Sequence, residues 1–163
     1  MTFKPCNVAS PELTRKIRAV EPSKAYGQLT YPCAVVLKDG RKLARVACIE
    51  EAHGLYGKDW IPLEDIQDVE ESVFRLPAAL ASQIYAAGES GMGYSLFTVQ
   101  LASGDDFVCV TGSALVDFPE LPAGIQSKDI VEVLPDCGRE RTLAGGHYFG
   151  SARASWCYFV GTD

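Results

Sequence analysis

Six cysteines and two histidines are the residues of this chain best equipped for nucleophilic or metal chemistry. Cys137, His147 and Cys157 fall near the C-terminus, and Cys48 lies close to His53. A structural zinc site needs compactly spaced ligands, and neither set supplies them or a fourth ligand. A cysteine nucleophile needs a thiolate, a base and an orienting group. No local spacing pairs either histidine with Cys48, Cys137 or Cys157. The carboxylate pairs Glu50-Glu51, Glu70-Glu71 and Asp105-Asp106 are adjacent in sequence. Neighbours on a strand face opposite ways, so these read as solvated edges and turns rather than acid–base dyads. Gly88-Glu-Ser-Gly-Met-Gly93 lacks the lysine and spacing of a phosphate loop and follows a helix instead of preceding one, so it reads as a linker. The pattern requires no metal, no cofactor and no catalytic residue, and directs attention to binding.

Two groups of side chains suit binding. His53, Tyr56, Lys58, Asp59 and Trp60 are the densest set of functional types and sit at the end of a loop. Exposed aromatic and charged loop residues make a recognition patch; the competing reading is that Tyr56 and Trp60 plug the end of a barrel. The second group lies at two hairpin tips. Lys38, Arg41, Lys42 and Arg45 surround one turn, and Asp105 and Asp106 stand in the aligned positions of Arg41 and Lys42 at the other. Tips of opposite charge could attract one another head to tail in a homo-oligomer, or meet different partners. The plainer alternative is two solvated hairpin ends.

The elements that must position these residues occur twice. Val35–Val46 and Val99–Val110 are both hairpin-like, and their turn glycines, Gly40 and Gly104, are 64 positions apart (104 − 40). The same offset superposes Gly27 on Gly91, Leu37 on Leu101, Ile61 on Ile125, Asp65 on Asp129, Ile66 on Ile130 and Val69 on Val133. Asp39-Gly40 between alternating apolar residues is a strong hairpin signal. Ser10-Pro11-Glu12 predicts a capped helix start, with Leu13, Ile17 and Val20 as one apolar stripe ending before Pro22. Pro77 opens a second helix that Gly88 closes. Strands are expected over 31–38, 41–50, 94–102 and 106–112. Glu50–Asp59 reads as a loop, 60–63 and 67–71 as short closing strands, and Ser155–Val160 as a last strand.

The expected fold class is mainly β with short helices (α+β), built by internal duplication of a helix, hairpin and closing-hairpin unit. The units would form two packed small barrels or one composite barrel. Residues 1–72 hold the first repeat and 73–136 the second. Residues 137–163 form a Gly/aromatic tail packing on both. The element order, the Lys38-Asp-Gly-Arg41 turn and the Asp-Ile-x-x-Val signatures at 65–69 and 129–133 resemble tandem SH3-like barrels, the Sm-like variety in particular. That resemblance implies RNA binding. The RNA-binding loop residues of Sm-like proteins have no match here.

Composition sets the frame for function. The chain has 163 residues, with 47% hydrophobic and 22% charged, as in ordinary globular proteins. No apolar run approaches a membrane span, and Met1–Cys6 lacks the apolar core of a secretory signal, so the expected location is cytoplasmic. Cys33, Cys48 and Cys109 sit among apolar strand residues and read as small buried hydrophobes. The net charge of −6 weighs against a nucleic-acid binder. It is unevenly spread: residues 1–72 hold ten Lys/Arg against eleven Asp/Glu, 73–136 two against eight, and 137–163 three against two. The resulting expectation is a non-catalytic cytosolic protein-binding or scaffold protein, with a protein partner and no membrane contact. One alternative is RNA binding through Arg15, Lys16, Arg18, Lys24, Lys38, Arg41, Lys42 and Arg45. Another is a small-molecule binder or enzyme with a pocket at the repeat seam.

Overall fold

The structure is a computed structural model describing residues 1–163. It is mainly β, with three helices, and the α+β class holds. The chain divides into two compact units that are not consecutive in sequence. Unit 1 comprises Met1–Pro22, Leu29–Val73 and Arg153–Asp163; unit 2 comprises Ser23–Gln28 and Phe74–Ala152.

Unit 1 begins with strand β1 (Thr2–Pro5) and helix α1 (Pro11–Arg18). Ser10 caps α1 as its sequence requires: its Oγ accepts from the Leu13 amide at 3.1 Å, with Pro11 at the first helical position. Ile17 is fully buried and Val20 nearly so, and this stripe anchors a helix too short to persist alone. Strand β2 (Ser23–Ala25) belongs to unit 2. The unit 1 sheet contains β3 (Gln28–Leu37), β4 (Lys42–Glu50), β6 (Ile66–Glu71) and β10 (Ser155–Phe159) in the order β6-β3-β4-β10. β10 lies parallel to β4, with Cys157 opposite Cys48; the other two pairings are antiparallel. Cys33, Cys48, Val46, Cys157 and Phe159 are fully buried in one core with Ile17 and Val35. The expected loop at 50–59 contains strand β5 (His53–Tyr56), which pairs with β1 as a separate ribbon. The expected strand at 60–63 is absent, because Leu63–Asp65 winds into a single 3-10 turn ahead of β6. No closed barrel forms.

Unit 2 has its own core around α2 (Ala78–Ala87) and the sheet β8-β7-β9, made of β7 (Tyr94–Leu101), β8 (Asp106–Gly112) and β9 (Ile130–Pro135). Gly88 ends α2 at φ +80°, the left-handed region that glycine tolerates best. The glycine-rich tail contributes a short helix, α3 (Arg139–Leu143), and Phe149 bridges in parallel to Cys109 on β8.

The two hairpins make the same hydrogen bonds. Leu37 N–H donates to Arg41 O at 2.8 Å and Leu101 N–H to Asp105 O at 2.9 Å. Gly40 and Gly104, at φ +90° and +92°, donate to Leu37 O and Leu101 O. Each first strand also meets its closing strand through Val35–Val69 or Val99–Val133, followed by a shift in register. Lys38 N–H reaches Asp65 O, and Ala102 N–H reaches Asp129 O. Glycine is needed at both tips because this three-residue connection ends in a left-handed residue.

A buried polar network crosses unit 2. Asp117 is fully buried and accepts from Ser23 Oγ at 2.5 Å and from Tyr85 OH at 2.6 Å. Arg75, 5% exposed, donates to Ser23 Oγ at 3.0 Å and to Leu76 O at 2.8 Å. Burial pushes the Asp117 carboxyl up, and the two hydroxyls and the Arg75 charge pull it back. Removing Asp117 takes away the buried acceptor to which Ser23 and Tyr85 donate. Asp117→Ala is expected to destabilise the protein by about 3–5 kcal/mol in chemical denaturation. A loss under 1 kcal/mol would show that the network does not hold unit 2.

Burial also makes stability fall at alkaline pH. The Cys109 thiol is pushed from 9.0 up to about 12 by burial. Between these values the unfolded chain has lost a proton that the folded chain keeps. The contribution is therefore complete below pH 9 and declines by about 1.4 kcal/mol per pH unit above it. Cys109→Ala should reduce the slope of unfolding free energy against pH above 9 by about that amount, read from denaturation midpoints at a series of pH values.

Candidate binding site

Strand β4 is only half covered on the edge away from β3. β10 pairs with Val46–Glu50 and stops at Ser155, leaving Lys42–Arg45 beyond its reach. A cleft of about 480 Å3 occupies this place. Five consecutive residues, Arg41–Arg45, form one wall; Lys58–Pro62 form the facing wall, and Arg153 and Ser155 the end. Leu37, Leu43 and Ile61 supply apolar surface, and Asp65 joins the lining.

The cleft is cationic. Arg41, Lys42, Arg45, Lys58 and Arg153 face two carboxylates, Asp59 and Asp65, for a formal balance of +3 in a chain of net −6. Arg41 is tethered to Asp39 through Nε at 2.8 Å. The Arg41 amide and then its guanidinium hold the Asp39 carboxyl below its usual range. Arg153 lies 3.6 Å from Asp59 with a side chain 91% exposed, so the pair is heavily screened.

Trp60 links the cleft to an aromatic cluster. Its ring stacks on Tyr158 at 4.3 Å and 17°, and tilts against Trp156 at 5.4 Å and Tyr56 at 6.0 Å. Trp156 and Tyr158 alternate along β10 with the buried Cys157 and Phe159, so one strand faces the core on one side and builds the cluster on the other. The backbone locks the same contact: Trp156 N–H donates to Asp59 O at 3.1 Å, and Ile61 N–H to Trp156 O at 2.7 Å. Lys4 Nζ sits 4.4 Å above the Tyr56 ring. Burial, then Cys6, raises the Tyr56 hydroxyl well above its ordinary value.

The structure gathers some of the sequence-derived candidates and separates others. Arg41, Lys42, Arg45, Lys58 and Trp60 come together in the cleft. Tyr56 stands behind them in the cluster. His53 is exposed on β5 and stacks on Phe3, outside the cleft lining. Lys38 lines a different hollow with Asn7 and Glu64. Asp105 and Asp106 belong to unit 2; Asp106 is held by Arg141 at 2.8 Å, and Asp105 accepts from Ser103 Oγ. Arg153 was not legible as a site residue, because only the fold of the C-terminal segment brings it to the cleft.

Five of the six cysteines are buried, and Cys137 is exposed. Cys33, Cys48 and Cys157 sit on adjacent strands inside the core; the Cys157 thiol is raised by its hydrogen bond with Cys48 and then by burial. No group of three or more His, Cys, Asp or Glu side chains is placed to hold a metal ion. No helix is long and apolar enough to cross a membrane. In comparisons with known proteins, no family model, curated protein or solved structure matches the chain.

Gly54 makes the aromatic cluster possible, since a Cβ there would overlap the Tyr158 ring. Gly54→Ala should displace Tyr158, free Trp60 from its stacking partner and cost about 1–3 kcal/mol. Unchanged tryptophan emission together with unchanged stability would show that the cluster tolerates the methyl group.

Proposed function

We propose that this is a non-catalytic binding protein whose unit 1 captures an acidic segment of a partner protein in the cleft beside β4. The observation that carries the reading is the convergence of Arg41, Lys42, Arg45, Lys58 and Arg153 around one cleft in an acidic chain. Arg41 and Arg153 already lie beside Asp39 and Asp59, and a partner's carboxylates would add to that counter-charge at Lys42 and Lys58. Trp60 offers a rigid aromatic anchor of the type enriched at binding hot spots. Two other unit 1 cations are engaged in ion pairs: Lys16 with Asp68 at 2.7 Å, and Arg18 with Glu50 and Asp163. These pairs reduce the broad basic face that RNA binding requires.

We also read the two hairpin units as copies of one duplicated element. The shared turn hydrogen bonds and registers at the 64-residue offset support this reading. Their cleft chemistry differs, because Asp105 and Asp106 replace Arg41 and Lys42. The partner-binding function is therefore assigned to unit 1.

Charge reversal tests the assignment. Lys42→Glu with Lys58→Glu is expected to weaken binding of an oligoglutamate peptide at least tenfold in fluorescence anisotropy, with the circular dichroism spectrum unchanged. Raising salt should weaken the parent protein in the same direction, because the contacts are exposed and screened. Equal affinity of the double variant and the parent would remove the cleft from consideration.

A further inference from the structure

We infer that the acidic segment belongs to a second copy of this chain: the hairpin tip at residues 103–106 of one molecule enters the cationic cleft of another. This inference rests on the cleft being the partner-binding site. The two matching turns carry the same local contact at the same offset. Asp39 Oδ1 accepts from the Arg41 amide at 3.0 Å, and Ser103 Oγ accepts from the Asp105 amide at 3.4 Å. Their charges differ. In the first turn the acid stands at the accepting position, and the Arg41 guanidinium closes on it at 2.8 Å. In the second turn the accepting group is a neutral hydroxyl, and the acid is Asp105. No cation pairs with Asp105; its carboxylate accepts from the Ser103 hydroxyl at 3.2 Å. Its neighbour Asp106 is held by Arg141 at 2.8 Å. The second tip therefore ends in a carboxylate without a counter-charge.

The tip and the cleft are complementary. Lys42 and Lys58 make no ion pair, whereas Arg41 and Arg153 lie beside Asp39 and Asp59. Lys42 stands on one wall of the cleft and Lys58 on the facing wall, so a narrow acidic projection between the walls would meet both. The tip is such a projection. Residues 102–106 are all exposed, and Gly104 at the apex carries no side chain. The bonds from Leu101 N–H to Asp105 O and from Gly104 N–H to Leu101 O, each 2.9 Å, fix its shape before binding and lower the ordering cost. The chain's other adjacent acids offer less. Glu50 is paired with Arg18, Glu64 accepts from Asn7, and Glu70 and Glu71 face opposite ways on β6. Tip and cleft are different surfaces, so the contact is heterologous and each copy can give one and receive one. The shared net charge of −6 opposes approach at long range, so association is expected only as concentration rises.

Sedimentation velocity of the full chain, from about 1 μM to about 1 mM, tests the contact. The parent should shift from monomer to larger species across this range. Asp105→Lys removes the free acid of the tip, and Lys42→Gln with Lys58→Gln removes the unpaired cations of the cleft. Each variant should weaken self-association at least tenfold with the circular dichroism spectrum unchanged. Mixing the two variants should restore a dimer of parental affinity and nothing larger, because one supplies an intact cleft and the other an intact tip. Three results would each overturn the inference: a parent that stays monomeric, variants that associate like it, or a mixture that stays monomeric. Oligoglutamate binding to the parent then decides the underlying reading separately. Bound peptide keeps the cleft as a site for an acidic segment of another protein, and absence of binding removes both.

Discussion

Unit 1 depends on the parallel pairing of β10 with β4. Five residues near the C-terminus return to a strand that ended more than a hundred positions earlier. Closing so long a loop costs conformational entropy, although that cost grows only slowly with length. The return is held by several layers at once. Cys157 and Phe159 enter the core, Trp156 and Tyr158 build the outer aromatic cluster, and Val160 N–H donates to Asn7 O at 2.9 Å. Thr162 then bonds to Ala9 O and to Thr14 Oγ1, tying the end of the chain to α1. The same strand defines the cleft by where it stops. β10 begins opposite Val46, and the cleft lies beside the part of β4 that precedes it.

Unit 2 is secured by a different kind of interaction. Its apolar core is comparable in kind, but a charged network passes through it. An isolated carboxylate in this position would be strongly disfavoured. Asp117 is tolerated because Ser23, Tyr85 and Arg75 come from three separate stretches of chain and direct donors or charge toward it. Apolar packing tolerates several arrangements; a buried carboxylate with fixed donors tolerates few. The network therefore specifies how the six residues 23–28 dock on their own unit, where they offer little apolar surface of their own.

Local features of the fold were legible in the sequence. The Ser10 cap, the Pro11 start, the Gly40 and Gly104 turns and the two hairpins each depend on residues within a few positions of one another. The features that were not legible are long-range. β1 has no strand signature of its own and is recruited by β5, which itself lies in a stretch that reads as a loop. The Ser23–Arg75–Asp117 network joins residues up to 94 positions apart. For the site, residue type was the better guide: Arg41, Lys42, Arg45, Lys58 and Trp60 were identifiable by chemistry. Which of their companions join them was decided by topology. Lys38 lies only three positions before Arg41, but the turn sends it to another hollow.

The electrostatics of the cleft bear on the proposed capture of an acidic segment. A net charge of −6 repels acidic partners at long range, while the cleft presents a local excess of positive charge. At physiological ionic strength the Debye length is about 8 Å, so the distant carboxylates are largely screened from a ligand already at the mouth. The local cations therefore dominate at contact, and the overall charge mainly limits non-specific association. Long-range attraction is weak in such an arrangement, so selectivity must come from contact geometry. The fixed stacking of Trp60 on Tyr158 would lower the ordering cost of binding.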